Sequence, residues 1–178
     1  MVATFETLRL TAARTGPGDL DDLARMHTDP AVMATLGGTV WSREEAHAFL
    51  ERVMHHWDRH GYGVWTLRRK DDGAFVGRAG LRRKLIDGYE ETELLYACMP
   101  EHWRHGLTTE AAEGIVRIAF DRLKMSNLVA FTRPDNTASR RVMEKTGFSY
   151  ERDFIHAGQL HVLYRQRLPA GGSKAVQA

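Results

Sequence analysis

The sequence has 178 residues, with 25 basic and 23 acidic side chains and a formal net charge of +2 at pH 7. Its length fits one domain, and its content of 43% hydrophobic and 27% charged residues is typical of a globular protein and excludes a disordered chain. Because the charges nearly balance, no whole-molecule field favours nucleic acid or an anionic membrane, and any anion site has to be local.

Cysteine content and hydropathy indicate the compartment. The single cysteine, Cys98, excludes an intramolecular disulfide and a multi-cysteine zinc site, which is consistent with a reducing compartment. The first ten residues lack a basic region followed by an apolar run, and no apolar stretch approaches the ~18–20 residues of a membrane span. We therefore expect a cytoplasmic protein that makes no contact with a membrane.

The first half of the chain predicts a strand, two helices and an antiparallel meander. Residues 5–13 indicate an opening strand, and a short helix begins near Asp19 and stops at Asp29-Pro30. Ser42 and Glu45 form a capping-box pattern, which predicts a second helix that Gly61 ends. Three strands joined by turns at 71–73 and 87–88 are then predicted over 63–69, 74–81 and 91–99.

After Pro100 the apolar period changes to that of a helix, predicted over about 106–124. The remaining predicted elements are a strand over 128–132, a helix over 136–146 closed by Gly147, and strands over 148–155 and 160–167. This order predicts a mixed α/β sheet with helices on its faces. We expect one domain over 1–168 and a disordered tail over 169–178.

Two segments carry features typical of ligand-binding sites. The first is a strand that leads through Pro100 into a helix start containing Gly106, where unpaired N–H groups and the helix dipole favour a pyrophosphate. An ordinary helix start with a helpful glycine is the alternative. In the second segment, Asn136 is a good N-cap and Gly147 a good helix end, but capping leaves the polar Ser139 unexplained.

Together these segments resemble the GNAT superfamily of acetyl-CoA-dependent N-acetyltransferases. Residues 103–111, WRHGLTTEA, are similar to the family's pyrophosphate loop. The pattern of Asn136, Ser139, Lys145 and Gly147 is similar to the second signature of the RimJ/RimL branch, and Glu93-x-x-Tyr96 and the spacing also match. The resemblance implies a GNAT-type α/β fold with a mixed, mostly antiparallel sheet of about seven strands flanked by about four helices.

The sequence departs from the family pattern at two places. Where the loop usually runs Gly-Lys-Gly-Tyr-Ala, this chain has Arg104, His105, Gly106, Leu107 and Thr108, so Arg104 has to adopt a backbone conformation that suits glycine. Many members carry a tyrosine general acid at the position of Met143. The acid therefore has to come from another residue.

The resemblance implies acetyl-CoA as co-substrate and assigns residues to it. We expect backbone groups of the strand before the loop to pair with the pantetheine arm, together with the side chain of Asn136. These strand residues are Tyr96, Ala97 and Cys98. The residues expected at the pyrophosphate are Arg104, His105, Gly106, Leu107, Thr108 and Thr109.

The implied reaction needs a neutral amine and a protonated leaving thiolate. Glu93 is the candidate base, with a solvated strand charge as its alternative. Ser139 resembles the branch's serine that contacts the CoA sulfur and relays a proton, with helix capping as its alternative. Cys98 is not expected to act as a nucleophile, because direct transfer needs none.

The acceptor is expected between the early helices and the closing strands, as a protein N-terminus or a small-molecule amine. Its site is predicted as an aromatic wall, although such residues more often belong to the core: Trp41, Phe49, Trp57, Tyr62 and His156. The sequence leaves a monomer and a homodimer equally open.

Three other functions were considered. One is a non-catalytic acyl-CoA-binding regulatory module with the same fold. A second is nucleic-acid binding through Arg82, Arg83 and Lys84, which instead fit a solvated strand end, so no nucleic acid is expected. The third is a metal site at His56 and His60, whose spacing suits one helix face, but no third ligand is implied and no metal is expected.

Overall fold

The computed structural model describes residues 1–168, so the tail predicted over 169–178 lies outside the described residues. The described chain forms eight strands and five α-helices. The strands are β1 (Thr4–Glu6), β2 (Leu10–Arg14), β3 (Val64–Arg69), β4 (Phe75–Ile86), β5 (Tyr89–Cys98), β6 (Asn127–Thr132), β7 (Ser149–His156) and β8 (Gln159–Arg167). The helices are α1 (Leu20–Thr28), α2 (Pro30–Leu36), α3 (Arg43–His60), α4 (Leu107–Arg117) and α5 (Thr137–Lys145).

All strands belong to one sheet with the order β1-β2-β3-β4-β5-β6-β8-β7. Every neighbouring pair is antiparallel except β5 and β6, which run parallel. The predicted α/β class with a mostly antiparallel sheet is confirmed. The predicted opening strand is in fact two strands, because a turn in which Thr7 bonds Leu10 separates β1 from β2.

Helix α2 differs from the sequence prediction, in which Asp29-Pro30 ends a helix and starts none. The Asp29 side chain instead accepts hydrogen bonds from the backbone N–H groups of Ala31 and Val32, and proline occupies the first turn, where no N–H is needed. Helix α3 begins at the predicted capping box and ends at Gly61, which has a left-handed backbone. The start signals of both helices are therefore local.

Strand β4 extends beyond the prediction, through the three basic residues 82–84 to Ile86. A two-residue turn at Asp87 and Gly88, with φ values of 49° and 85°, then returns the chain into β5. The long helix predicted up to residue 124 is α-helical only to Arg117 and continues as a π-helical turn over Ile118–Arg122. The β4–β5 hairpin places basic residues of β4 opposite acidic residues of β5.

The helices cover both faces of the sheet. Arg78 lies opposite Ala97 in the β4–β5 register and packs on Phe49 of α3, whereas Tyr96, the preceding residue of β5, bonds Ser139 of α5. Because neighbouring strand residues point to opposite faces, α3 and α5 lie on opposite sides of the sheet. Among residues 1–168, no helix combines the length and the hydropathy that a bilayer-spanning segment needs.

Candidate active site

The sheet opens between its two parallel strands. Within residues 1–168, β5 and β6 share one registered pair, Glu93 opposite Val129, although β5 continues to Cys98. The backbone of residues 94–98 therefore has no registered partner on β6, and it can pair with an extended ligand. Of the predicted pantetheine contacts, the carbonyl of Cys98 already accepts a hydrogen bond from the indole of Trp103 at 2.7 Å.

Directly after β5, a tight loop leads into α4. Arg104 and Gly106 both have left-handed backbones, with φ values of 64° and 77°. Arg104 thus adopts the conformation that the glycine-rich loop of the resemblance requires, and such strain in a non-glycine residue costs of order 1 kcal/mol. No side chain caps α4 at Gly106, so the first N–H groups of the helix are available to an anion.

Arg9, in the turn between β1 and β2, fixes this loop. Its Nη1 donates to the carbonyl oxygen of His105 at 2.9 Å, and its Nε donates to Oε2 of Glu110 at 2.7 Å. Burial opposes ionisation of Glu110, but hydrogen bonds from Thr7 and Arg9 hold the pKa of its carboxyl below the ordinary value. Arg9 is 96 positions from His105 and 101 from Glu110 in the sequence, and no local sequence pattern predicts contacts over such separations.

A cavity of about 460 Å³ adjoins the start of α4. This volume falls within the range of small-molecule sites. Beside Gly106 its wall carries three cationic side chains and two carboxylates: Arg9, Arg117 of α4 and Lys145 of α5, with Glu110 and Glu113. Lys145 belongs to the second sequence motif, and the structure brings it to the same side of the molecule as the loop.

Ser139 and Tyr96 form a pair of hydroxyl groups. The phenol of Tyr96 donates to the Ser139 carbonyl at 3.0 Å and lies 3.0 Å from Ser139 Oγ, so the serine hydroxyl donates to the phenol oxygen. Burial raises the pKa of Tyr96 and keeps the phenol protonated. Sequence reasoning assigned only the backbone of Tyr96 to the site and missed its side chain.

Asn136 has a structural role at the start of α5. Its Oδ1 accepts a hydrogen bond from the backbone N–H of Ser139 at 3.1 Å, as an N-cap does. Nearby, Nη2 of Arg133 donates to the carbonyl of Ala34 at 2.9 Å, which joins the end of α2 to the loop before α5. The contact of Asn136 with pantetheine stays a prediction.

Glu93 lies where β5 and β6 begin to separate. Glu93 as a whole residue is 4% exposed, so its carboxylate is not a solvated strand charge. Arg82, directly opposite on β4, donates to it twice, from Nε at 2.7 Å and from Nη2 at 3.1 Å. Arg82 was predicted only as part of a charged strand end, whereas the structure makes it the partner of the candidate base.

The predicted aromatic wall is divided among separate places. Trp41 lies near Phe49, with ring centroids 5.6 Å apart, beside the face that carries Glu93. Trp57 is fully buried in the core and donates to the carbonyl of Val64. Tyr62 packs against two histidines of α3.

His156, the last of the five wall residues, lies on β7 and packs on Phe131. Its Nε2 is 3.3 Å from Nζ of Lys84, and burial, followed by the charge of Lys84, lowers its pKa. The imidazole is therefore biased toward its neutral form. Of the wall residues, only Trp41 and Phe49 are brought together.

Cys98 and His56 are both constrained by their surroundings. Burial raises the pKa of Cys98 to about 11, so the thiol is protonated near neutral pH and is a poor nucleophile. Both ring nitrogens of His56 are engaged, Nδ1 with the Tyr62 carbonyl and Nε2 with the Arg83 N–H. Within the described residues, no group of three or more His, Cys, Asp or Glu side chains could hold a metal ion.

Comparison with known proteins gave consistent matches. A family model described as an acetyltransferase (GNAT) domain matches residues 8–149. The chain is 30% identical over 132 residues to the uncharacterized protein YkkB of Bacillus subtilis, in a match that covers 71% of this chain and 73% of that protein.

Solved structures are similar over almost the full described chain. An acetyltransferase from Agrobacterium tumefaciens superposes with a TM-score of 0.82 and 22% identity, covering 94% of this chain and 96% of that one. RimL, a ribosomal L7/L12 α-N-protein acetyltransferase in complex with coenzyme A, has a TM-score of 0.77 and 15% identity, covering 93% and 98%. At these identities the superpositions establish a shared fold.

Proposed function

The chain belongs to the GNAT acetyltransferase family and is an acetyl-CoA-dependent N-acetyltransferase, and we propose that it acetylates a primary amine by direct attack on the thioester in a ternary complex. The observation that carries this proposal is the gap between β5 and β6, which leads to the uncapped start of α4. A ligand that follows β5 from the start of α4 would reach Glu93. An extended thioester substrate fits such a path.

The binding mode follows from this path. The pyrophosphate is proposed to bind the N–H groups of residues 104–109, where two left-handed residues turn the backbone and Arg104 adds positive charge beside His105. The pantetheine arm is proposed to lie along residues 96–98. Lys145 and Arg117 in the neighbouring cavity are suited to the nucleotide end of the cofactor, which carries a further phosphate.

Glu93 is proposed as the base that makes the amine nucleophilic. An α-amine with a pKa of ~7.7–8.0, or a lysine amine at ~10.4, is largely protonated at neutral pH. Arg82 uses one bond to each carboxylate oxygen, which leaves further lone pairs for the ammonium group or for a bridging water. The position of Glu93 at the narrow end of the gap supports this role, because the thioester carbon has to reach the same point.

The hydroxyl pair of Ser139 and Tyr96 is proposed to protonate the leaving thiolate. A thiol of pKa ~8.5 leaves more readily when a proton is supplied as the bond breaks. Rotation of the Ser139 hydroxyl would direct its proton to the sulfur while the Tyr96 phenol passes its own proton to the serine oxygen, and water returns a proton to the phenol after the thiol has left. Met143, at the usual position of the acid, is fully buried and cannot take this role.

The resemblance to the RimJ/RimL branch suggests a class of acceptor. RimL is described as an acetyltransferase of a protein α-amine, and its fold is shared, which supports a protein N-terminus or a small amine as the acceptor here. Glu93 and Tyr96 point to opposite faces of β5, and Tyr96 contacts Ser139, which supports an acceptor that approaches from the face opposite Ser139.

Ligand-dependent stability tests the binding mode. We expect acetyl-CoA to raise the free energy of unfolding by roughly 2.7 kcal/mol at a hundred times Kd, and we expect an added amine to release CoA thiol. Gly106→Val should abolish the stabilisation, because a β-branched residue disfavours the left-handed backbone of the loop. Gly88→Val is the matched control, since Gly88 has φ of 85° in a remote hairpin. No thermal shift at millimolar acetyl-CoA would contradict the proposal.

A further inference from the structure

Arg78 is a buried cation for which residues 1–168 supply no ion-pair partner. The residue is 6% exposed, and its Nε has no hydrogen-bond partner among residues 1–168. The negative charge of Glu93 favours the charged form of Arg78, but both carboxylate oxygens of Glu93 accept hydrogen bonds from Arg82. The ring of Phe49 lies 4.7 Å from the guanidinium carbon, and a cation–π contact offsets only part of the cost of burying a charge.

Elsewhere the protein compensates a buried guanidinium fully. Arg165, whose side chain is 12% exposed, donates to the carboxylates of Glu91 and Glu151 and to the amide oxygen of Asn127. The same sheet therefore supplies acceptors where an arginine has a structural role. The lack of such acceptors at Arg78 indicates that its partner is not part of the described chain.

His27, at the end of α1, adds a second unsatisfied group beside Arg78. It is fully buried, and its Nδ1 donates to the carbonyl of Leu23 at 2.8 Å, so Nε2 carries the lone pair. Nε2 has no hydrogen-bond partner among the described residues. The two side chains meet at Phe49, whose ring centroid lies 5.1 Å from that of His27 and 4.7 Å from the guanidinium carbon of Arg78. Burial, and then the charge of Arg78, lowers the pKa of His27 to about 4. Trp41 covers the imidazole, with ring centroids 4.1 Å apart.

Arg78 and His27, together called the Arg78–His27 pocket below, share a face of the sheet with Glu93. Arg78 and Arg82 are four residues apart on β4, and Glu93 lies opposite Arg82, so all three side chains point to the same side. At 3.3 Å per residue, about 13 Å of strand separate the Cα atoms of Arg78 and Arg82. A ligand that joins the two positions has to place several bonds between its two ends.

We propose that Arg78 and His27 bind the acceptor by a carboxylate that lies several bonds from the reacting amine. This inference rests on the proposed function, and it names the acceptor class. Arg78 supplies donors for the carboxylate, and His27 Nε2 accepts from an N–H or O–H group next to it. An α-amino acid with a second amine at the end of its side chain has this form: its α-carbon end binds in the pocket and its side-chain amine reaches Glu93.

Matched amines test the inference. Free lysine and cadaverine share the same amine chain and differ by the carboxylate, and ornithine and putrescine form a second pair. In CoA-thiol release, we expect kcat/KM for the carboxylated member to exceed that of its partner by about tenfold or more, as for a charged hydrogen bond. Equal kcat/KM within both pairs would overturn the inference and leave the acetyl transfer itself intact.

Substitution of Arg78 links this preference to the pocket. Arg78→Met keeps an unbranched stem against Phe49 and removes the charge, so the ratio between lysine and cadaverine should fall to about one, whereas Arg78→Lys should retain part of it. Arg83→Gln is the control, because this exposed arginine of the same strand points to the other face. A ratio that persists in Arg78→Met would overturn the assignment.

Stability provides a readout that does not depend on turnover. Removing an uncompensated buried charge should raise the melting temperature of ligand-free Arg78→Met, whereas a structural arginine would lower it. If no amine releases thiol, the proposed function fails, and the pocket is then tested by thermal shift with free lysine. Stabilisation of the parent but not of Arg78→Met would support the pocket, and no stabilisation of either protein would overturn it.

Discussion

The hydroxyl of Ser139 allows a catalytic and a structural role to be separated. Its backbone N–H forms the cap with Asn136, whereas its side chain contacts Tyr96. Ser139→Ala should therefore lower kcat and kcat/KM together by about tenfold or more, because the lost contact acts mainly in the transition state. Its free energy of unfolding should change by less than about 1 kcal/mol.

Asn136→Ala is the contrasting variant, because it removes the cap itself. It should cost about 1 kcal/mol of stability and also weaken acetyl-CoA binding if the amide contacts pantetheine. Stopped assays of thiol release together with urea unfolding distinguish the two variants. A Ser139→Ala enzyme with parental turnover would remove this serine from the mechanism.

Glu93 can be tested against a neighbour in a similar environment. Glu93→Gln should lower turnover most strongly at low pH, where little of the amine is free and a base matters most, while acetyl-CoA affinity stays nearly unchanged. Glu91→Gln is the control: Glu91 points to the same face two residues away, and Arg165 holds it in an ion pair. Both variants lose a charge-assisted bond and should lose about 1–3 kcal/mol of stability. Identical pH profiles for Glu93→Gln and the parent would exclude a base role.

Individual residues differ in how far the sequence could predict their roles. The spacing of Asn136 and Ser139 on one helix turn is local, and it predicted a capped helix correctly. The partner of Glu93 could not be predicted, because a one-residue change in register would have moved Arg82 to the other face. Arg78 is a lone arginine inside the apolar run of β4. Such a residue implies either a buried partner or a ligand, so the sequence alone marks Arg78 as a candidate site residue.

Helix α1 carries the buried neutral histidine His27 near its end, and this residue makes the free energy of unfolding depend on pH. The pKa of His27 is about 4 in the folded protein, mainly because of burial, and 6.5 without the fold. Above pH 6.5 the imidazole is neutral in both the folded and the unfolded state, so His27 causes no loss of stability there. As the pH falls from 6.5 toward 4, the unfolded state gains the proton first and stability decreases.

This linkage predicts a loss of about 2 kcal/mol from His27 between pH 6.5 and pH 5. Urea unfolding at both pH values should show a smaller loss for His27→Gln, by about this amount. Other histidines with lowered pKa values, such as His56 and His156, leave a residual slope in the variant. The same pH dependence for variant and parent would contradict the burial of a neutral His27.

Helices were predicted where their start and end signals are local. The capping box of Ser42 and Glu45 defined α3, whereas the same kind of signal at Asp29 was missed because a proline followed it. Strand β4 was predicted too short, since Arg82 and Lys84 look solvated when the acidic strand β5 opposite them is not considered. Pairing between strands supplies the information that a single segment lacks.

For the whole molecule, the decisive feature is the separation of β5 from β6. The sequence predicted the class of fold and, through the resemblance, the loop at Gly106. It could not place the gap, because the one registered pair of these strands joins residues 93 and 129, whose approach depends on the crossover through α4. The contact of Arg9 with the carbonyl of His105 could not be predicted either, because 96 positions of sequence separate the two residues.

Direct acetyl transfer inside this gap is the central claim, and initial-rate kinetics of CoA-thiol release test it most directly. With acetyl-CoA and an acceptor amine both varied, we predict intersecting double-reciprocal lines, no thiol release without amine, and an unmodified enzyme mass after incubation with acetyl-CoA alone. Glu93 and Ser139 then act on a ternary complex, and the protonated Cys98 takes no part. Parallel lines together with a covalently acetylated enzyme would contradict the claim, because they are the signature of a transfer through an acetyl-enzyme intermediate.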